Sequence, residues 1–157
     1  MLYFAQGSYI DHSHMKVCCP AAAFVATGRL RDYRLCFPRW SRVRDTAVAG
    51  IEPAKGETAW GAVYQIAAQD LARLDLVEGY APGRVPELNT ARRVTVRIER
   101  TDGLTVEAET HVAVPMAEPG KPSLGYLLVL TRAAEALQFP ADFIAKLRAA
   151  ETPPLAA

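Results

Sequence analysis

Two short alternating runs joined by Asp102-Gly103 constrain this chain more than any other stretch. Residues 92–100 place Val94, Val96 and Ile98 on one side and Thr95 and Arg97 on the other. Residues 105–114 alternate Val106, Ala108 and Thr110 against Glu107, Glu109 and His111. A period of two is the signature of a strand with one buried face, and the Asp102-Gly103 turn between the runs is the strongest hairpin signal in the chain. The chain therefore commits to an antiparallel ribbon whose apolar face needs a cover. Further strands are expected at 2–5, 32–37, 43–51 and 57–66, separated by Pro and Gly breaks.

Helices supply the cover. Residues 68–78 carry a helical pattern that Gly79 stops. Asp11 or Ser13 can cap a short helix ending near Pro20; Pro122 and Ser123 open a helix to about Gln138; Pro140 opens another to about Arg148. Residues 81–89, with two prolines and a glycine, form a loop, able to serve as a lid or as an inert connection. The order of strands, helix, hairpin and two helices is not a βαβα alternation. It predicts an α+β fold around a mainly antiparallel, strongly curved sheet. No repeat or linker divides the sequence, so one domain is expected over residues 1–150, with a frayed tail at 151–157.

Composition narrows the class. Half of the 157 residues are hydrophobic and 22% are charged, which is globular rather than disordered. A net charge of +1 gives no global field to draw nucleic acid or an acidic membrane, although Arg39, Arg42 and Arg44 make a local basic patch. No apolar run approaches the ~20 residues that span a bilayer. The segment MLYFAQGSY has no basic stretch ahead of its apolar run, so no secretory leader is expected. Three cysteines, Cys18 and Cys19 being adjacent, do not make a disulfide framework, which fits a reducing cytoplasm.

Glu78 is the foremost candidate for chemistry. Leu71, Leu74 and Glu78 fall at i, i+3 and i+7, so a carboxyl group sits in an apolar stripe, in the last turn of its helix. Burial and the helix dipole both disfavour its charged form and raise its pKa toward the range useful for proton transfer. The alternative is a glutamate turned outward beside the Gly79 stop. Gly7-Ser8, where the first strand ends, lets the backbone approach a ligand and offers N–H groups to a carboxylate or oxyanion; it can equally be an ordinary turn. His12, His14, Cys18 and Cys19 match no zinc spacing and read as surface histidines and small packing groups. Cys36 reads as core, and His111 as one face of a strand with no Ser/His/Asp set to join.

Several segments, in order, resemble the γ-glutamyl cyclotransferase-like family, which includes AIG2-like proteins. They are Tyr3-Phe4-Ala5-Gln6-Gly7-Ser8-Tyr9-Ile10, Cys19-Pro20-Ala21, Leu30-Arg31-Asp32-Tyr33-Arg34-Leu35, Trp60-Gly61-Ala62-Val63-Tyr64, Leu74-Asp75-Leu76-Val77-Glu78-Gly79, and Pro122-Ser123 with Tyr126 and residues 137–147. The resemblance implies a small mixed, mainly antiparallel β-barrel flanked by helices, with a cavity between the Gly7-Ser8 loop and Glu78. It implies cyclisation of a small γ-glutamyl amide to 5-oxoproline with release of an amine or amino acid, Glu78 acting as general acid and base. Gln6, Gly7, Ser8, Tyr9 and Tyr126 become the substrate-binding residues, and no metal or cofactor is required. This sequence departs from the family's Tyr-Gly-Ser-Asn loop at Gln6 and Tyr9, and from a tyrosine before the next strand at Thr90-Ala91. Two rival expectations follow from the departures: a non-catalytic member that binds a small anionic ligand or a partner protein, and an enzyme for a different amide.

Overall fold

The structure, a computed structural model, describes residues 1–155; Ala156 and Ala157, the end of the expected tail, lie outside the described residues. Five strands close into a barrel in the order β1-β3-β2-β4-β5. They are β1 (Leu2–Ala5), β2 (Ala23–Ser41), β3 (Thr46–Gln65), β4 (Ala91–Arg100) and β5 (Thr105–Ala113). Every pairing is antiparallel except β1 with β5, which closes the barrel in parallel, Tyr3 opposite Glu109. The expected mixed, mainly antiparallel barrel is therefore present. In the predicted hairpin Val94, Val96 and Ile98 face Thr110, Ala108 and Val106 across the ladder.

Four helices lie outside the barrel: α1 (His12–Cys18), α2 (Ala68–Glu78), α3 (Leu124–Ala136) and α4 (Ala141–Arg148). Asp11, not Ser13, caps α1, its Oδ1 accepting from the Ser13 and His14 N–H groups at 2.8 and 3.2 Å. Ser123 caps α3 through the Tyr126 N–H at 3.2 Å. Strand alternation sorts the core. Phe4 and Val63 point into the barrel with Leu30, Ile51, Val96 and Ile98. Tyr3, Ala5 and Tyr64 point outward, where Met15 of α1 and Leu71 and Leu74 of α2 cover them. A third cluster joins α3 and α4 to the distal halves of β2 and β3 through Leu130, Phe143 and Leu147.

Two expectations about strands need correction. The stretches at 32–37, 43–51 and 57–66 are parts of two long strands of 19 and 20 residues. Pro38, Pro53 and Gly56 do not end them. The pairing shifts at Arg31/Tyr33 and at Cys36/Arg39, next to Pro53 and Pro38, so irregularities absorb the breakers while the ladder continues. The Gly56 N–H is taken up by Asp32 Oδ1 at 2.8 Å. Val43, 98% exposed, belongs to the turn before β3 rather than to a strand. Cys36 is half-buried rather than core; burial pushes its thiol up to about 12. No helix among the described residues is long and apolar enough to cross a membrane.

Candidate active site

The end of α2 fixes Glu78. Gly79 adopts φ 77°, and the Tyr80 N–H returns to the Asp75 carbonyl at 2.9 Å, closing the helix with a left-handed stop. Thr90, entering β4, clasps this turn. Its hydroxyl donates to the Glu78 carbonyl at 2.9 Å and its N–H to the Gly79 carbonyl at 2.9 Å. A Cβ on Gly79 would lie 1.9 Å from Thr90 Oγ1, so the clasp requires glycine there twice over.

Facing this turn, Gly7 to Ile10 form one turn of 3₁₀ helix straight after β1. Gly7 has φ 68°, and a Cβ there would meet the Ala49 carbonyl oxygen at 2.8 Å. Leading N–H groups of such a turn have no partner within it. Tyr9 is buried, and its ring stacks on His14 at 4.9 Å. Gln6 Nε2 donates to the His111 carbonyl at 3.0 Å, while its buried Oε1 has no partner among the described residues.

Between the two turns lies a cavity of ≈ 240 Å³. Gln6, Ser8, Tyr9, Glu78 and Tyr126 all line it, so most of the residues singled out in the sequence converge on one space. Gly7 sits just behind, on a smaller apolar cavity beside Gln6 and Ala49. Glu78 keeps part of its surface open to the cavity, yet protein surrounds it on its other sides. Burial pushes its carboxyl from 4.5 up to about 7, against the opposing pull of Arg44. Tyr126 Oη accepts from the Ala49 N–H at 2.9 Å.

The sequence singled out Arg39 and Arg44 only as a basic patch, yet both reach the cavity wall. Arg39 Nη1 donates to the Val114 carbonyl at 2.7 Å, and Arg44 contacts His14, whose imidazole burial and Arg44 hold below its usual value. Two cations at the mouth suit a ligand that carries a carboxylate. His111 is the other correction. It is not merely one face of a strand but a wall of the cavity, 1% exposed and bonded to Tyr3 and Asp75. Nothing in the alternation of β5 marked it. Asp75 entered the sequence reading only as part of the Leu74–Gly79 segment that resembles the family, with no role of its own, because its neighbours in space are invisible there.

The sequence and the fold, compared with known proteins, show which family the chain belongs to. A gamma-glutamylcyclotransferase of Homo sapiens is 26% identical over 154 residues, 96% of this chain and 78% of that protein. The gamma-glutamylcyclotransferase of Mus musculus is 25% identical with the same coverage. A solved structure named gamma-glutamyl cyclotransferase superposes with a TM-score of 0.86 over 100% of this chain and 91% of its own, at 24% identity, a likeness of fold. YkqA from Bacillus subtilis superposes at 0.74 over 98% of this chain and 56% of its own, at 21% identity. The AIG2-like family model matches residues 58–147, from the middle of β3 through α2, the hairpin and α4. The chain belongs to the AIG2-like family.

Proposed function

We propose that this protein cyclises a small γ-glutamyl amide to 5-oxoproline, releasing an amine or amino acid, with Glu78 as general acid and base. One observation carries the reading: a carboxyl pushed up to about 7 and Ser8, at the turn that Gly7 opens, border the same small, polar-walled space. A group poised near neutral pH can take and return a proton in one turnover.

The atoms balance without an outside reagent. Glu78 takes a proton from the substrate's α-ammonium. The freed amine attacks its own γ-carbonyl, and the N–H groups of Gly7 and Ser8 hold the oxyanion. The tetrahedral centre collapses and the old amide C–N bond breaks as Glu78 returns that proton to the departing nitrogen; the attacking nitrogen's second proton follows by the same carboxylate, leaving a neutral lactam and a released ammonium. Nucleophile and carbonyl belong to one molecule, so a cavity that holds the substrate folded supplies much of the rate. Gln6, Ser8, Tyr9 and Tyr126 form the walls that would do so.

A second reading rests on Tyr9 and the arginines: a binding protein for a small anionic ligand held by Arg39 and Arg44. The two are separated by 5-oxoproline release from a panel of γ-glutamyl dipeptides and γ-glutamyl amines, with Glu78→Gln beside the parent. Release by the parent and none by the folded variant supports the enzyme. No release from any substrate by folded parent protein removes it.

A further inference from the structure

His111 joins three elements that flank the cavity. Its Nδ1 lies 2.8 Å from Tyr3 Oη on β1, and its Nε2 lies 2.8 Å from Asp75 Oδ1 on α2. Its own carbonyl accepts from Gln6 Nε2 at 3.0 Å. Burial holds the imidazole below its usual value despite Asp75. In the neutral ring, Nε2–H then donates to Asp75 and Nδ1 accepts from the Tyr3 hydroxyl, whose own pKa burial drives well upward. Asp75 Oδ2 takes a 2.6 Å bond from Arg93 Nη1 on β4, and Arg93 lies over the Tyr80 ring at 5.2 Å.

Asp75 is 5% exposed and precedes Glu78 by three residues on α2. Gln6 immediately precedes Gly7, and Tyr3 lies four residues before it on β1. One imidazole is thus bonded to both banks of the cavity. Apolar side chains of similar volume would stabilise such a place about as well, since a buried polar network gains little net free energy over them. Its return is a single fixed geometry. We propose that His111, with Asp75 and Tyr3, is a positioning centre that sets where the Glu78 carboxyl stands relative to the Gly7-Ser8 turn. Its kinetic consequence rests on the cyclotransferase reading above; its structural consequence does not.

The test uses Asp75→Asn and Tyr3→Phe in the full chain, with melting temperature, steady-state kinetics of 5-oxoproline release, and hydrogen exchange of the Gly79 and Tyr80 amides. A misplacement of about 1 Å at a reacting group can cost on the order of 100-fold. For Asp75→Asn the expected result is a ~10–100-fold fall in kcat with KM nearly unchanged, and faster exchange confined to the end of α2. Tyr3→Phe, which keeps the ring, gives a smaller fall in the same direction and carries the test if Asp75→Asn does not fold. Folded variants with parental kcat overturn the proposal, as does a lower kcat with unchanged exchange at Gly79 and Tyr80. If the parent itself turns over no substrate, the cyclotransferase reading fails, and exchange alone decides: unchanged rates in both variants overturn the positioning role.

Discussion

Tyr126 Oη accepts a 2.9 Å hydrogen bond from the Ala49 N–H, and the Ala49 carbonyl is the atom on which Gly7 is seated. A residue of α3 therefore pins the stretch of β3 that supports the candidate oxyanion turn. Burial pushes the Tyr126 hydroxyl up to about 12, so it stays protonated while it accepts. Tyr126→Phe keeps the ring and removes the acceptor. The half-buried N–H left behind costs about 1–3 kcal/mol, the lower end applying where cavity water replaces the acceptor. We expect a lower melting temperature together with slower turnover, because the Gly7 seat loosens. A destabilised variant with full kcat would separate the seat from the chemistry.

Glu78 makes stability depend on pH in a distinctive direction. Its carboxyl is raised in the folded protein, so the charged form is the disfavoured one there. The penalty is complete above pH 7 and disappears as pH falls through about 4.5, where folded and unfolded chains are both protonated. Glu78→Gln removes a penalty on the order of 1–3 kcal/mol, the lower end applying if cavity water solvates the carboxylate. Thermal melts should show the variant more stable than the parent at pH 8, with the gap closing by pH 4.5. A gap of constant size, or a less stable variant at pH 8, contradicts the raised carboxyl.

The barrel was legible where pattern and geometry share a period. The alternation on either side of Asp102-Gly103 marked the hairpin, although the turn is longer than Asp-Gly alone and the ladder ends at Glu99 opposite Thr105. The i, i+3, i+7 spacing of Leu71, Leu74 and Glu78 put a carboxyl on the inner stripe of α2. The lengths of β2 and β3 were not legible. Pro38 and Pro53 are locally strand breakers, and only pairing to a long partner lets irregularities carry the ladder past them. The ring of partners around His111 was hidden for a related reason. Its bonds span 36 residues to Asp75 and 108 to Tyr3, and no periodicity encodes contacts at such separations. Thr90 stood out in the sequence only as a departure from the family; in space it clasps the Glu78 turn.

Gly7→Ala tests the seat from the other side. The position needs φ 68°, which costs an L-residue about 1–2 kcal/mol, and the added Cβ would sit 2.8 Å from the rigid Ala49 carbonyl. The turn must shift to admit it. Because Gly7 and Ser8 are proposed to hold the oxyanion rather than the resting substrate, the loss should fall on kcat, by roughly 100–1000-fold, the range for removing an oxyanion donor. A folded Gly7→Ala protein with normal kcat would remove the turn from the mechanism.

Arg44 touches both halves of the proposed mechanism. Its guanidinium lines the cavity and draws the Glu78 pKa downward. Arg44→Gln removes that pull, so the rising limb of kcat/KM against pH, which reports ionisation of Glu78, should move to higher pH. The shift should shrink in high salt, because a charge at an open mouth is screened. Losing the cation also removes a partner for substrate carboxylates. An exposed charge pair is worth about 1 kcal/mol or less, so KM for γ-glutamyl dipeptides should rise by up to roughly 5-fold. γ-Glutamyl amines lack the second carboxylate and should be less affected. Equal changes for both substrate types would place Arg44 beside the γ-glutamyl carboxylate rather than the leaving group. An unmoved pH limb would mean that the guanidinium stays with His14 and does not act on Glu78.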